Sequence, residues 1–574
     1  MKAKMESKSP AAGTRPPGAD AVLISIVRNG LLGVTEEMKT NLMRTAYNMI
    51  IYEALDFTVG LFDANGDTIS IGLGLPLFVR GMSETVKAKL KRFGWEGLSP
   101  GDILVTNDAY LTGSHLNHFT FTMPIFDGAE LCGFACCMAH WQDVGGQLGG
   151  MTTDIFSEGI QIPILKYRSG SIVNDDLVEI IKMNVRIPER AIGDLRAQVT
   201  AVTTGERGFR ELIRRYGREG VQRAIQAIMD QSEAAARRRT GEIPDGVYEA
   251  ESYMDDDGVD VGKRIPIKVR VIVTGEEMTV DLREVSPQVL GFFNAGATTG
   301  QALAQMAYKC LTSADDYPIN DGSFRPLKVL LSPASIVSAV KPAAMRWWMT
   351  YPMTIVDTIF RALQNAIPDK VIAGHHADLL VAHISGILPV DGRFFMASIG
   401  PPGGGWGAKQ TQDGVSATVC LNCGDTHNGP IEQLEAKLPI VIEHYRLRQD
   451  SGGAGRHRGG LGVELAVRAL APINLNLQVD RVHYPPWGLL SGDSGAGNGV
   501  SLVSADGTIE DQSSTKILRR KIASGDAFVL RTGGGGGFGS PAERDPKEVA
   551  RDVAQGYVSR EMAQTLYRVH VADA

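Results

Sequence analysis

Glycine restricts the fold of this chain more than any other residue type. The 574 residues include 66 glycines, and two dense runs stand out, PPGGGWGAKQT at 401–411 and TGGGGGFGSP at 532–541. Glycine has no Cβ atom, so such runs are typical of tight turns and of backbones that approach each other closely. Neither run fits a phosphate-binding loop: in the first, Ala408 precedes Lys409 and Gln410 follows it, and the second has no acidic partner at dinucleotide-binding spacing. We therefore predict tight turns, close backbone packing or a subunit contact for both runs.

Length and composition limit the class of protein. A chain of this length fits two to four domains, and 43% hydrophobic with 21% charged residues is ordinary for a globular protein. A net charge of −7 argues against nucleic acid or a membrane surface as partner. We find no apolar run of eighteen residues, which predicts no membrane span, and no signal-peptide core near the start. Six cysteines do not make a disulfide framework, so we expect a cytoplasmic protein.

The order of predicted elements indicates a mixed α/β (α+β) fold, a large multi-layer protein with several mixed sheets and Gly-rich connections. Apolar spacing predicts helices at 21–54, 82–93, 207–239, 298–311 and 355–366. Alternating or continuous apolar segments predict a hairpin at 57–71 and strands at 102–106, 119–126 and 131–139. We divide the chain into a disordered tail (1–20), a metal-containing α/β region (21–243) and a β-rich α+β region (244–574), with the boundary at Pro244-Asp245-Gly246.

A group of histidines marks the candidate site. His115, His118 and His140 lie within 26 positions, the first two in a polar loop between strands and the third where a strand ends. Imidazole groups bind Zn, Mn, Fe and similar ions, and an added carboxylate favours harder ions. Asp56 and Asp108 are the carboxylates available nearby. The alternative is that these histidines are packing or surface groups, and the residues alone leave both possibilities open.

Three further groups of residues are candidates for a functional role. Asp143 follows His140 by three positions and could orient a histidine or act as a base, although it could equally begin a turn; with Asp108 it is our candidate catalytic carboxylate. Cys420 and Cys423 form one C-x-x-C without a second pair, which is weak support for structural zinc. His375 and His376 could line the same cleft, but packing or surface placement is favoured.

The chain resembles the hydantoinase B / oxoprolinase-type subunit family, which includes B subunits of ATP-dependent hydantoinases, the C-terminal part of 5-oxoprolinase, and subunits of acetone and acetophenone carboxylases. Matching stretches run in order through nearly the whole chain. They are GDILVTNDAYLTGSHL (101–116), AHWQDVGG (139–146), EGIQIPILK (158–166), NVRIPERAIGDLRAQ (184–198), DSGGAGRHRGGLG (450–462), PPWG (485–488) and GGGGGFGSPAERDP (533–546).

The resemblance implies a division of labour. A hydantoinase A-like partner subunit would bind ATP and Mg and phosphorylate a substrate oxygen, within a hetero-oligomer such as α2β2. This chain would carry a divalent metal, Zn or Mn, on His115 and His140 with a carboxylate from the region of Asp56. Many members read H-L-P-D where this chain reads His115-Leu116-Asn117-His118, so His118 could be a ligand in place of the carboxylate or could face the substrate.

The expected activity is therefore ATP-dependent opening of a cyclic amide of the hydantoin, oxoproline or lactam type. Phosphorylation of the amide oxygen would give an imidate-like species, and the metal would activate water. Two alternatives remain open: a ketone carboxylase subunit of the acetone or acetophenone type, and a structural subunit whose metal only folds the loop.

Overall fold

The computed structural model describes residues 17–79, 82–312, 319–512 and 516–572. It has the mixed α/β composition that the sequence predicts. Of the predicted disordered tail, residues 1–20, the first 16 residues lie outside the described part of the chain. A helix begins at Pro17. No helix in the described ranges is both long and apolar enough to cross a bilayer.

Twelve α-helices occur in the described residues, numbered α1 to α12 in chain order. They are Pro17–Thr45, Met49–Tyr52, Ser83–Phe93, Ala109–Thr112, Asp175–Asn184, Pro188–Tyr216, Arg218–Thr240, Ala297–Thr312, Thr350–Ala362, Ile431–Lys437, Pro546–Ala554 and Arg560–Thr565.

Two of the predicted helices are each divided in the structure. The predicted helix at 207–239 is the end of α6 and most of α7, separated by Gly217 at a φ of 74°. Glycine adopts this backbone conformation without steric cost, and the apolar pattern continues across it. The predicted helix at 21–54 is α1 and α2. Asp194 accepts the backbone N–H groups of Tyr47 and Asn48 between them, so a carboxylate from α6 satisfies donors that a continuous helix would have satisfied itself.

The first sheet has seven antiparallel strands. Strands β1 to β7 are Phe57–Asp63, Thr68–Leu73, Ile103–Thr106, His118–Asp127, Glu130–His140, Leu165–Ser169 and Ile172–Val173, in the spatial order β2-β1-β5-β4-β3-β6-β7. The predicted hairpin and three strands are confirmed. Along β5, Ala135, Cys137 and Ala139 join the core that α1 and α6 cover, while Phe134 and Cys136 join the core on the opposite face. Both faces are therefore buried, which explains the continuous apolar run.

The second sheet has four strands. Strands β8 to β11 are Gly246–Met254, Ile265–Thr274, Glu277–Asp281 and Leu327–Leu330, in the order β11-β10-β9-β8. β10 and β11 are parallel and the other pairs antiparallel. Helix α9 packs against β8 and β9. One hydrophobic core cluster contains both Phe134 of the first sheet and Val271 of the second. The division of the chain into two regions at residue 244 stays a prediction.

The last nine strands form two further sheets. Strands β12 to β20 are Ala382–Ile387, Phe394–Ile399, Ile440–Leu447, Val463–Ala469, Ile473–Gln478, Gly499–Val503, Ile509–Asp511, Lys516–Ile522 and Ala527–Arg531. They are ordered β13-β12-β16-β19 in one sheet and β14-β15-β20-β17-β18 in the other. Ile384 and Leu475 of the first share a core cluster with Val467 and Leu530 of the second, so the two sheets enclose one apolar layer.

The glycine-rich runs pack backbone against backbone. We call the segments 403–407, 452–462 and 533–537 the glycine seam. A Cβ atom on Gly535 would lie 1.8 Å from the carbonyl oxygen of Trp406, and one on Gly534 would lie 1.8 Å from that of Ser451. Gly535 N donates to Gly460 O at 2.9 Å, and Gly453 N donates to Gly535 O at 2.8 Å. The predicted close backbone packing is confirmed.

Candidate metal centre

Strand pairing in the first sheet brings two potential metal ligands together, and a neighbouring loop adds a third. Asp56 immediately precedes β1, His140 ends β5, and these strands are neighbours, with His140 N donating to Asp56 O at 3.1 Å. His115 lies in the loop between α4 and β4, and its ring centroid is 4.8 Å from that of His140. One potential ligand atom from each of Asp56, His115 and His140 lies within 4.8 Å of the others, the only such group within the described residues.

Two buried ring nitrogens of this group lack a hydrogen-bond partner. They are Nε2 of His115 and Nδ1 of His140. Buried polar atoms are nearly always paired in native proteins, and an unpaired imidazole nitrogen beside a carboxylate is suited to a metal ion. The residues present therefore fit a divalent cation.

Hydrogen bonds fix the orientation of His115. Its Nδ1 lies 3.0 Å from the carbonyl oxygen of Arg346; a carbonyl only accepts, so Nδ1 carries the proton and Nε2 the free lone pair. The Arg346 segment is held in turn by Glu158, whose carboxylate accepts from Met345 N at 3.0 Å and Arg346 N at 2.9 Å. Thr152 also donates to Glu158, at 2.7 Å. Glu158 thus positions the carbonyl that sets the tautomer of His115.

His118 contacts this group differently. It pairs with His140 in the β4–β5 register, and its ring is fully buried. Nε2 lies 3.0 Å from Asp56 Oδ1, and Nδ1 lies 2.8 Å from the hydroxyl oxygen of Ser114. Both ring nitrogens therefore have partners, and the arrangement fits a neutral imidazole that donates to Asp56 and accepts from Ser114.

Burial determines the charge state of the group. It lowers the pKa of His115 and of His140 well below the usual range and lowers the pKa of His118 to about 3. Burial also raises the pKa of Asp56 to about 6, an effect that His140 partly offsets. Neutral imidazoles are the form that coordinates metal ions.

Two adjoining cavities meet at these residues. His115, His140, Arg346 and His383 line both. The first cavity is the more polar of the two, so we call it the polar cavity; it is also lined by Gln142, Asp143, Glu158, Arg186 and Asn476. The second is mainly apolar and is also lined by Ile50, Leu75, Trp347, Trp348, Met349, Leu379, Val381 and Pro401. His115 and His140 thus lie between the two compartments, and Asp56 lines the apolar one.

The predicted catalytic carboxylates lie in different places. Asp143 lines the polar cavity, where its oxygens accept from Gly145 N, from Arg186 N, and from the Arg186 guanidinium at 2.7 Å. Asp108 is exposed, lines neither cavity and caps α4 by accepting from Tyr110 N at 3.1 Å. Of the two, only Asp143 shares the cavity of the histidines.

The second histidine pair lies elsewhere in the core, whereas Cys423 of the C-x-x-C lines the apolar cavity. His375 and His376 are buried and line neither cavity, and His375 Nδ1 lies 2.5 Å from Asp357. The sulfur of Cys420 is 3.3 Å from that of Cys423. The burial and contacts of His375 and His376 agree with the favoured prediction, that the two histidines are packing groups.

Two cavity residues, His383 and Arg346, are not predicted from the sequence. His383 lies on β12, with Nδ1 3.0 Å from Ser398 Oγ, and burial lowers its pKa to about 4. Arg346 lies in the loop before α9. The only signal in the sequence was a single charge within the aromatic and apolar run MRWWM at 345–349, and nothing in the sequence set His383 apart from other strand residues.

Comparison with known proteins agrees with the fold. The caprolactamase subunit beta of Pseudomonas jessenii is 30% identical over 571 residues, which cover 96% of each chain. The crystal structure of ATP-dependent caprolactamase from the same organism superposes with a TM-score of 0.90 at 27% identity, covering 96% of this chain and 97% of that one.

Two proteins of lower sequence identity also match this chain. The 5-oxoprolinase 1 of Arabidopsis thaliana is 28% identical over 554 residues, which cover 91% of this chain and 42% of the plant protein. Nucleotide-free acetone carboxylase shares the fold, with a TM-score of 0.86 at 19% identity over 96% of this chain and 79% of that one. The sequence profile of one family, Hydantoinase B/oxoprolinase, matches residues 20–541. The chain therefore belongs to the hydantoinase B/oxoprolinase family.

Proposed function

We propose that this chain is the metal-binding B-type subunit of an ATP-dependent amidohydrolase that opens a cyclic amide of the hydantoin, oxoproline or lactam type. The observation that carries the proposal is the group of Asp56, His115 and His140 where the two cavities meet. Similarity to a caprolactamase subunit along nearly the whole of both chains supports the substrate class.

The reaction needs an activated amide, because an unactivated amide is a poor electrophile. In the proposed sequence a hydantoinase A-like partner transfers the phosphoryl group of ATP to the amide oxygen. Water then adds to the resulting imidate carbon, the C–N bond breaks, and the ring nitrogen leaves as an amine after taking up a proton. A second water hydrolyses the acyl phosphate to a carboxylate and inorganic phosphate.

The side chains of this subunit bind and orient the reactants. Asp56, His115 and His140 would hold the cation, and two imidazoles with a carboxylate suit Zn or Mn. A bound divalent metal would supply an activated water at this site. Asp143 and His383 are the cavity groups that could move protons. His383 is neutral, and its Nε2 makes no hydrogen bond to another described residue, whereas Asp143 is paired with Arg186.

The test is a His140→Ala variant assembled with its A-type partner, with His570→Ala, an exposed histidine, as the matched control. We expect His140→Ala to bind metal at least about tenfold more weakly and to lose cyclic amide hydrolysis. The His570→Ala variant should keep both properties. Turnover that survives in a metal-free His140→Ala complex would leave the metal with a structural role only. Bicarbonate-dependent consumption of a ketone, without amide hydrolysis, would instead identify a carboxylase subunit.

A further inference from the structure

Arg346 is a half-buried cation at the candidate site, and its guanidinium group has no acceptor among the described residues. Both backbone polar groups of Arg346 are hydrogen-bonded: its N–H donates to Glu158, and its C=O accepts from His115. Its guanidinium group, in contrast, makes no hydrogen bond or ion pair with another described residue, although the side chain lines both cavities. An arginine carries five donors in a rigid fork, so these donors are directed at whatever occupies the cavities.

The carboxylates near the Arg346 guanidinium make their hydrogen bonds to other groups. Burial lowers its pKa, Glu158 raises it, and the cations Arg186 and Arg519 lower it further; an arginine nevertheless stays protonated. Glu158 already accepts from Thr152 and from two backbone amides. Arg186 is paired with Asp143, and the exposed Arg519 donates to Gly149 O at 3.2 Å. The carboxylates near Arg346 thus have other hydrogen-bond partners, and the guanidinium donors of Arg346 stay available to an anionic ligand.

The two compartments fit two parts of one molecule. The apolar walls formed by Leu75, Trp348, Met349 and Val381 suit a hydrocarbon ring. Phosphate is the anion that planar, bidentate guanidinium groups recognise well. A phosphorylated cyclic amide has this composition, with an apolar ring and a phosphate on the adjacent oxygen.

We infer that Arg346 binds the phosphate group of the phosphorylated substrate, and that the apolar cavity holds its ring beside Asp56, His115 and His140. This inference rests on the proposed function. Because the phosphate remains attached until the C–N bond has broken, Arg346 would hold the reacting carbon in place throughout ring opening. Its backbone carbonyl orients His115 at the same time, so one residue would set the position of both the substrate and a metal-binding side chain.

Binding of inorganic phosphate to the full chain tests the inference directly. The variants are Arg346→Met, which keeps length without charge, and Arg346→Lys, which keeps charge without the fork; Arg519→Met is the matched control. Calorimetric titration should show phosphate binding about 30-fold or more weaker in Arg346→Met, weaker binding in Arg346→Lys, and wild-type binding in Arg519→Met. Metal content should be unchanged in all three, which checks that the site is folded. Equal phosphate affinity in Arg346→Met and wild type would overturn the inference.

Turnover in the complex with the A-type partner separates phosphate from a carboxylate as the bound anion. Caprolactam has no carboxylate and 5-oxoproline has one. We expect Arg346→Met to abolish hydrolysis of any cyclic amide that the wild-type complex accepts. A loss confined to the carboxylate-bearing amide would overturn the phosphate assignment. If the wild-type complex hydrolyses no cyclic amide, the proposed function fails. If it does so and Arg346→Met matches it, only the inference fails.

Discussion

His118 Nε2 lies 3.0 Å from Asp56 Oδ1, and the same ring accepts from Ser114 through Nδ1. From the sequence, His118 is predicted either to be a metal ligand or to face the substrate. Its occupied nitrogens support a third role, in which it positions the carboxylate of Asp56. Groups that orient a metal-binding side chain commonly change metal affinity by about 10–100-fold.

A His118→Phe variant should therefore bind Zn or Mn about 10–100-fold more weakly than wild type, because Asp56 loses the donor that orients it. Equilibrium metal titration measures this loss. Ser114→Ala, which removes only the outer hydrogen bond, should have a smaller effect. X-ray absorption should count two imidazole ligands in the wild-type protein, and a third imidazole would show that His118 is itself a ligand.

Replacement of Glu158 by Gln should weaken both stability and metal binding. The carboxylate accepts from Met345 N, Arg346 N and Thr152 Oγ1, and the NH2 group of glutamine cannot accept. At least one buried donor is then unpaired, which costs about 1–3 kcal/mol. Denaturant titration should show this loss, and His115 should bind metal less well as its Arg346 partner moves. The exposed Glu561→Gln should change neither, and identical behaviour of the two variants would contradict the role of Glu158.

Stability should depend on pH through His375. Burial alone would lower the pKa of this imidazole, but Asp357 beside it, assisted by Cys420, raises it to about 9. The unfolded value is about 6.5. The stabilisation of the folded state by protonated His375 is therefore complete below about pH 6.5, and it is lost as pH rises through about 9. His376 and the buried Arg481 also lie close by.

The comparison of wild type with Asp357→Asn isolates this effect, because other buried groups titrate in the same range. The thermal midpoint of the wild type should fall more steeply between pH 6.5 and pH 9 than that of the variant. Equal slopes in the two proteins would show that the His375–Asp357 pair is not the source.

Two glycine-to-alanine changes should have opposite effects. A Cβ atom on Gly535 would lie 1.8 Å from Trp406 O, whereas one on Gly33, within α1, would meet no heavy atom within 4 Å. We expect Gly535→Ala to cost more than about 4 kcal/mol or to prevent folding. Gly33→Ala should be stabilising by about 0.5–1 kcal/mol. Thermal unfolding compares the two, and a well-folded Gly535→Ala protein would contradict the packing of the glycine seam.

The grouping of Asp56, His115 and His140 could be predicted because it depends on local structure. His140 ends a strand and Asp56 precedes one, both within an apolar pattern that is readable along the chain, and the loop that holds His115 precedes the next strand. A sheet of neighbouring strands brings such ends together.

Arg346 and His383 could not be predicted in the same way. Their contact with the site depends on how later sheets dock against the first, and they lie more than 200 residues from His115 and His140. The division between α6 and α7 was missed for a related reason: the apolar period continues across Gly217, and only its backbone conformation ends the helix.

The glycine seam also has a consequence for the order of folding. Its segments come from three distant parts of the chain and are joined by backbone hydrogen bonds, such as Gly405 N to Gly533 O at 2.9 Å. Glycine loses more conformational entropy on ordering than any other residue. Two of the segments, 403–407 and 533–537, have one side chain beyond glycine between them, that of Trp406, and so can form few early side-chain contacts. We therefore expect the seam to close last, after the four sheets have formed, and its amides to become protected from hydrogen exchange later than those of β4 and β5. Because its Gly405 lies only a few residues from Gly400 and Pro401, which line the apolar cavity, completion of that wall would coincide with the end of folding.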